Sequence, residues 1–144
     1  MTRLSIPSSW RSITARYRLI GTKCTKEKIS YFPPRFVCPS CGDPCEDGVN
    51  FTGKAKLVDF TVIRVPPLHQ QLQTPYIIGL VQLDVEEGKG PTVTTQIVGV
   101  GMEGIGELKQ GLPMVATFRK YGAEASDAVL VYGYKFTPAN LYNN

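Results

Sequence analysis

Between Phe51 and Tyr142 the chain alternates short apolar runs with clusters of turn-forming residues. Five runs have strand character: KLVDFTVIRV (56–65), YIIGLVQLDV (76–85), TVTTQIVGV (92–100), MVATFRKY (114–121) and AVLVYGYKF (128–136). Each is rich in β-branched and aromatic residues and is bounded by Gly, Pro or acidic turns, as half-buried strands are. The breaks are Pro66-Pro67, EEGKGP, the segment 103–113 and GAEASD. Some runs are apolar on both parities, as in Tyr76-Ile77-Ile78 and Val129-Leu130-Val131. Both faces are then at least partly covered, as in a small closed barrel or under a second domain. Five strands with a non-strand segment between the third and fourth form the pattern of an OB-type Greek-key barrel. The predicted class is mainly β.

Ahead of the strands the period changes. In WRSITARYRLI, Trp10, Ile13, Tyr17 and Ile20 recur at intervals of 3, 4 and 3, which is one face of a helix. Ser8 or Ser9 can cap its start and Gly21 can stop it. Arg11, Arg16 and Arg18 lie off the stripe. Such a helix either packs on its own domain or presents a basic, aromatic-bearing surface to a partner. The next segment, ISYFPPRFV, is extended: its two prolines forbid a helix and disfavour a central strand. The chain therefore divides into a helical segment (1–22), a metal-binding ribbon (23–50) and a five-stranded OB-fold domain (51–144).

All four cysteines fall between Lys23 and Gly48, spaced C-x13-C-x2-C-x3-C. Four clustered thiols and none elsewhere suit a reduced compartment and a metal better than a disulfide framework. Cys38-Pro39-Ser40-Cys41-Gly42 is a knuckle signal: proline stiffens the turn and glycine permits the bend that brings amides towards sulfur. Cys24 opens the partner knuckle, but Glu27 stands where its second cysteine would fall. Zinc takes four ligands in a tetrahedron, mostly thiolates, and accepts a carboxylate. The spacing favours Cys24, Glu27, Cys38 and Cys41. Cys45 has the softer donor and is the alternative fourth ligand, and water is a third choice. Without a metal these would be buried thiols. A catalytic zinc is disfavoured, since the single histidine, His69, lies far off in the sequence.

The bulk numbers narrow the function. A hydrophobic fraction of 42% fits a soluble globular protein. No apolar run approaches the roughly 20 residues that span a bilayer, and MTRLSIPSSWRS has no apolar signal-peptide core, so a cytoplasmic location is expected. Residues 1–50 carry eight Lys/Arg against four acids, and residues 51–144 carry eight of each. The positive excess thus sits outside the barrel, which weighs against nucleic acid as the partner. A single-stranded nucleic-acid-binding barrel is the alternative reading, with Tyr132, Tyr134 and Phe136 on one strand parity as its stacking row. Catalysis needs a nucleophile within reach of a base, and His69 has no evident orienting partner. A non-enzyme is expected.

RYRLIGTKC, YFPPR, CPSCG, GKAKLVDFTVI, PYIIGLVQLDV and ELKQGLPM, in this order, closely resemble a prokaryotic, especially archaeal, zinc-ribbon plus OB-fold family formerly known as a domain of unknown function. The resemblance covers most of the chain. It implies an N-terminal helix, a rubredoxin-like ribbon and an OB barrel. It also implies a non-catalytic role: binding acyl-CoA, or bridging an acetoacetyl-CoA thiolase and a hydroxymethylglutaryl-CoA synthase in the mevalonate route. The family ribbon has four cysteines; this chain matches three and places Glu27 at the fourth. Beside the resemblance, Trp10, Arg16, Tyr17, Arg18, Tyr31, Phe32 and Arg35 offer cations next to aromatic rings. That chemistry suits an anionic CoA or a protein partner.

Overall fold

A computed structural model describes residues 6–11, 13–65, 75–120 and 132–142, apart from a few side chains in the first helical segments and that of Asp47. His69, the GAEASD turn, residues 128–131 of the fifth expected strand, and the side chains of Ser8, Ser9 and Arg16 lie outside the described residues. The chain divides into two compact units. One comprises Met1–Thr52 with Val85–Pro91, and the other Gly53–Asp84 with Thr92–Asn144.

The second unit is a closed five-stranded barrel. Its strands are β4 (Lys54–Ile63), β5 (Tyr76–Leu83), β6 (Thr92–Ile97), β7 (Pro113–Lys120) and β8 (Tyr132–Pro138), in the order β4-β5-β6-β8-β7. Consecutive strands β4, β5 and β6 pair antiparallel. The barrel then closes through the parallel β6–β8 contact at Ile97 and Phe136 and the antiparallel β4–β7 contact. This is the OB topology that the run of five strands predicted. The segment expected to be a turn between the third and fourth strands holds a 3-10 helix, Met102–Glu107.

Alternation sets the barrel core. On β5, Ile77, Val81 and Leu83 point inward and are buried, while Tyr76, Ile78 and Gln82 are half-buried and Leu80 is exposed. Leu57, Val81, Leu83, Met114 and Phe136 are fully buried. Gly79 faces the same interior: a Cβ there would stand 2.5 Å from Ile97 Cδ1, so a side chain at this position would have to displace Ile97. A register shift between Leu57 and Asp59 bends β4 and leaves Val58 exposed. The first three expected strands run past the observed ends, β4 and β5 by two residues and β6 by three, because pairing and not apolarity ends a strand, while the fifth stops two residues short of β8's end. β4, for example, ends at Ile63, opposite Tyr76, where Pro75 offers no N–H to extend the ladder.

The first unit is built on a three-stranded sheet of order β2-β1-β3, with β1 Ile20–Cys24, β2 Ser30–Tyr31 and β3 Cys45–Asn50. The connection between β5 and β6 belongs to it: Lys89 bridges Ile29, the Ser30 amide donates to the Lys89 carbonyl at 3.2 Å, and Lys23 pairs with Glu87 at 3.3 Å. Before β1, the single helix expected over 10–20 is replaced by two six-residue helical segments, α1 (Ile6–Arg11) and α2 (Ile13–Arg18). Leu19 adopts φ 49° after α2, and Ile20 already belongs to β1. The left-handed Leu19 turns the chain from helix into strand one residue before Ile20 could extend the stripe. No described helix is long and apolar enough to cross a membrane.

Candidate metal centre

Strand pairing and two tight turns bring the cysteines together. β1 delivers Cys24 at its last position, fully buried. The chain then reverses: the Lys28 amide donates to the Cys24 carbonyl at 3.0 Å, and the Cys24 amide donates to the Ile29 carbonyl at 2.9 Å. The second turn follows the CPSCG pattern. The Gly42 amide donates to the Cys38 carbonyl and the Cys38 amide to the Asp43 carbonyl, both at 2.9 Å. Gly42 has φ 77°, a conformation that glycine adopts without strain. Amides inside this turn point at sulfur, those of Ser40 and Cys41 at Cys38 and that of Asp43 at Cys41.

The thiol sulfurs of Cys24, Cys38 and Cys41 all lie within 4.8 Å of one another, with Cys24 and Cys41 at 3.5 Å. Thiolates on a tetrahedral zinc with Zn–S of about 2.3 Å stand roughly 3.8 Å apart, so this spacing fits the ion. Electrostatics fits as well. The Tyr31 hydroxyl donates to Cys38 Sγ at 3.2 Å. That bond, helped by the Cys41 amide, holds the Cys38 thiol down at about 6. The same bond pushes Tyr31 up to about 12. For Cys41 the Asp43 amide favours the thiolate, but burial and the neighbouring Cys38 and Cys24 sulfurs outweigh it and push the thiol up to about 12. The Cys38 and Cys41 thiols are thus pushed in opposite directions, and a dication would favour the thiolate form at both.

The two candidates for a fourth ligand are placed differently. Glu27 is exposed, and its carboxylate comes within 4.0 Å of Cys38 Sγ. Cys45 stands directly across the β1–β3 ladder from Cys24, and neither Glu27 nor Cys45 belongs to the group of three.

The other residues singled out in the sequence scatter. Trp10 is 72% exposed, Ile13 43% and Tyr17 49%, so most of the apolar stripe is uncovered; Arg18 is exposed too. Tyr31 is half-buried against the cysteines, and Phe32 packs edge-on against Phe51 with centroids 6.1 Å apart. Exposed Arg35 sets its guanidinium 5.8 Å from the Tyr31 ring centroid. On β8 the row divides: Phe136 is buried, Tyr134 is half-buried and edge-on to it at 6.0 Å, and Tyr132 is exposed and stacks on Phe118 at 5.7 Å. Sequence reasoning passed over Phe36 and Val37. They lie at the end of the extended ISYFPPRFV segment, beside Cys38, and both are exposed.

Residues 48–119 match the family model described as the ChsH2 C-terminal OB-fold domain. The chain is 36% identical over 135 residues to a DUF35 domain-containing scaffold protein of Pyrococcus furiosus, spanning 94% of this chain and 93% of that one. A probable enoyl-CoA hydratase alpha subunit of Thermomonospora curvata is 28% identical over 106 residues, 74% of this chain and 31% of the relative. The solved structure of the Ltp2-ChsH2(DUF35) aldolase aligns at a TM-score of 0.59 and 25% identity, over 92% of this chain and 90% of that one.

Proposed function

The chain belongs to the DUF35 scaffold-protein family with a ChsH2-type OB-fold domain, and on that premise we propose that it is a non-catalytic cytoplasmic scaffold for enzymes of acyl-CoA metabolism. One relative is named as an aldolase and another as a hydratase subunit, both consistent with a DUF35 chain working beside a catalytic one. The specific pair proposed is an acetoacetyl-CoA thiolase and a hydroxymethylglutaryl-CoA synthase. Joining two acetyl-CoA molecules is uphill, so a protein that holds the next enzyme close raises the local concentration that draws the reaction forward.

The observation that carries the reading is the uncovered stripe of Trp10, Ile13 and Tyr17 at the start of the chain. An aromatic stripe left in water on short helical segments, with Arg16 and Arg18 in the same run, has the composition of an interface hot spot. CoA itself is anionic, and Arg16, Arg18 and Arg35 with Tyr17, Tyr31 and Phe32 are the cation–aromatic set offered to it. Cys24, Cys38, Cys41 and Glu27 would hold zinc as a structural tie of a rubredoxin-like ribbon.

The test mixes the purified chain with the thiolase and the synthase of its source organism. A ternary complex should form. Trp10→Ala or Tyr17→Ala should weaken it by about 2 kcal/mol, roughly thirtyfold, without unfolding the barrel. The chain alone should show no thiolase, synthase or thioesterase turnover. Steady turnover by the isolated chain would sink the reading.

A second reading has one observation behind it. The exposed Phe118–Tyr132 stack lies on strands that also carry Arg119 and Lys120, which suits a single-stranded nucleic acid. Salt-dependent binding of a labelled oligonucleotide would favour it over the scaffold.

A further inference from the structure

From Pro33 to Val37 every residue of the first unit is exposed, and Phe36, at 85%, is the most exposed of its large apolar side chains among the described residues. A lone surface phenylalanine needs no explanation. This one differs in how its backbone is held. On one side the Arg35 amide donates to the hydroxyl of buried Thr22 at 3.0 Å. At Phe36 itself the carbonyl accepts from the Cys45 amide at 2.9 Å. On the other side Val37 bridges Pro44, and Cys38 begins the metal turn. Val37, 55% exposed, extends the apolar tip. A rigid aromatic loses little freedom on binding, which is how a small patch becomes an anchor.

Charge narrows the occupant. Arg35, next to the tip, lies over the Tyr31 ring and forms no ion pair among the described residues. Residues 1–50 carry the whole positive excess of the chain. A matching surface joins an apolar pocket to a carboxylate rim. We infer that Phe36, flanked by Val37 and Arg35, is the anchor by which the first unit docks into an apolar pocket bordered by carboxylates on a partner enzyme. The inference rests on the scaffold reading and adds the residue and the partner's surface chemistry. It also links the metal to docking, because Cys38 and the turn from Gly42 to Cys45 fix the segment that carries the anchor.

The full-length, metal-loaded chain is titrated with the thiolase and the synthase separately. Phe36→Ala should weaken binding of one enzyme about thirtyfold, with metal content and thermal midpoint unchanged. Arg35→Glu should weaken the same enzyme and flatten its salt dependence. Binding of both enzymes by Phe36→Ala within about twofold of the parent overturns the inference and leaves the scaffold reading standing. Failure of the parent chain to bind either enzyme removes both. If the alanine variant loses metal, Arg35→Glu decides, and unchanged affinity there overturns the inference. Self-association of the parent that disappears in Phe36→Ala, with enzyme binding intact, assigns the tip to a second copy of the chain and equally overturns it.

Discussion

At the scale of single residues the metal centre turns on what completes three thiols. The Glu27 carboxylate comes within 4.0 Å of Cys38 Sγ from the position a fourth cysteine would hold, and Cys45 stands across the β1–β3 ladder from Cys24; we expect the carboxylate to complete the site. Glu27→Ala should therefore lower zinc retention against a competing chelator, and Cys45→Ser should keep it. The opposite result would move the fourth ligand to Cys45. The Tyr31 hydroxyl bonds the sulfur of Cys38, one of the three clustered thiols, and loss of such a partner to a metal ligand costs about ten- to a hundredfold in metal affinity. Tyr31→Phe should fall in that range and shift the thiolate-to-cobalt charge-transfer band of the cobalt-substituted protein; an unmoved band and affinity would reduce the bond to packing. The Cys38–Cys41 turn was legible in the sequence because its geometry is local. The role of Tyr31 was not. It meets Cys38 only because Thr22 and Tyr31 pair across β1 and β2, and no spacing rule reports a pairing between strands.

At the scale of elements, the apolar runs located all five barrel strands, because a strand with one face in a core must alternate. They could not report which apolar residues stay wet. Leu80 and Val58 carry the same letters as core residues, and a bulge turned Val58 outward. The helical stripe misled in the same way: Trp10 falls in α1 and Ile13 and Tyr17 in α2, all three are exposed, and Ile20 has passed into a strand. The barrel interior offers a sharper check. A methyl group at Gly79 would stand 2.5 Å from Ile97 Cδ1, 2.9 Å from Ile97 Cγ1 and 3.2 Å from Leu57 Cδ1. Over-packing of this kind costs about 1–3 kcal/mol. Gly79→Ala should lower the unfolding free energy by that amount, seen as a lower denaturant midpoint with the m-value unchanged. A loss below about 0.5 kcal/mol would mean that the Ile97 side chain moves aside at little cost.

At the scale of the whole chain the two units divide the sequence unevenly. A boundary near residue 50 is visible in composition, since the cysteines and the charge excess end there. That Val85–Pro91 belongs with the first unit is not visible: EEGKGP reads as an ordinary hairpin turn, and its partners at Ile29 and Ser30 are far away in the sequence. The clustered thiols lie only in the first unit, so removing the metal should act there first. Hydrogen exchange can see the division along one continuous stretch. The Asp84 amide donates to the Lys54 carbonyl at 2.9 Å, inside the barrel unit. The Ser30 amide donates to Lys89, inside the metal unit. On chelation Ser30 and the amides of Cys24, Cys38 and Cys45 should lose protection, while Asp84, Val98 and the β5 core keep theirs. A fragment of residues 51–144 should likewise fold without zinc. Loss of protection at Asp84 and Val98 together with Ser30 would instead show that the units unfold as one. The metal would then be a stabiliser of the barrel as well as of the sheet that carries the cysteines.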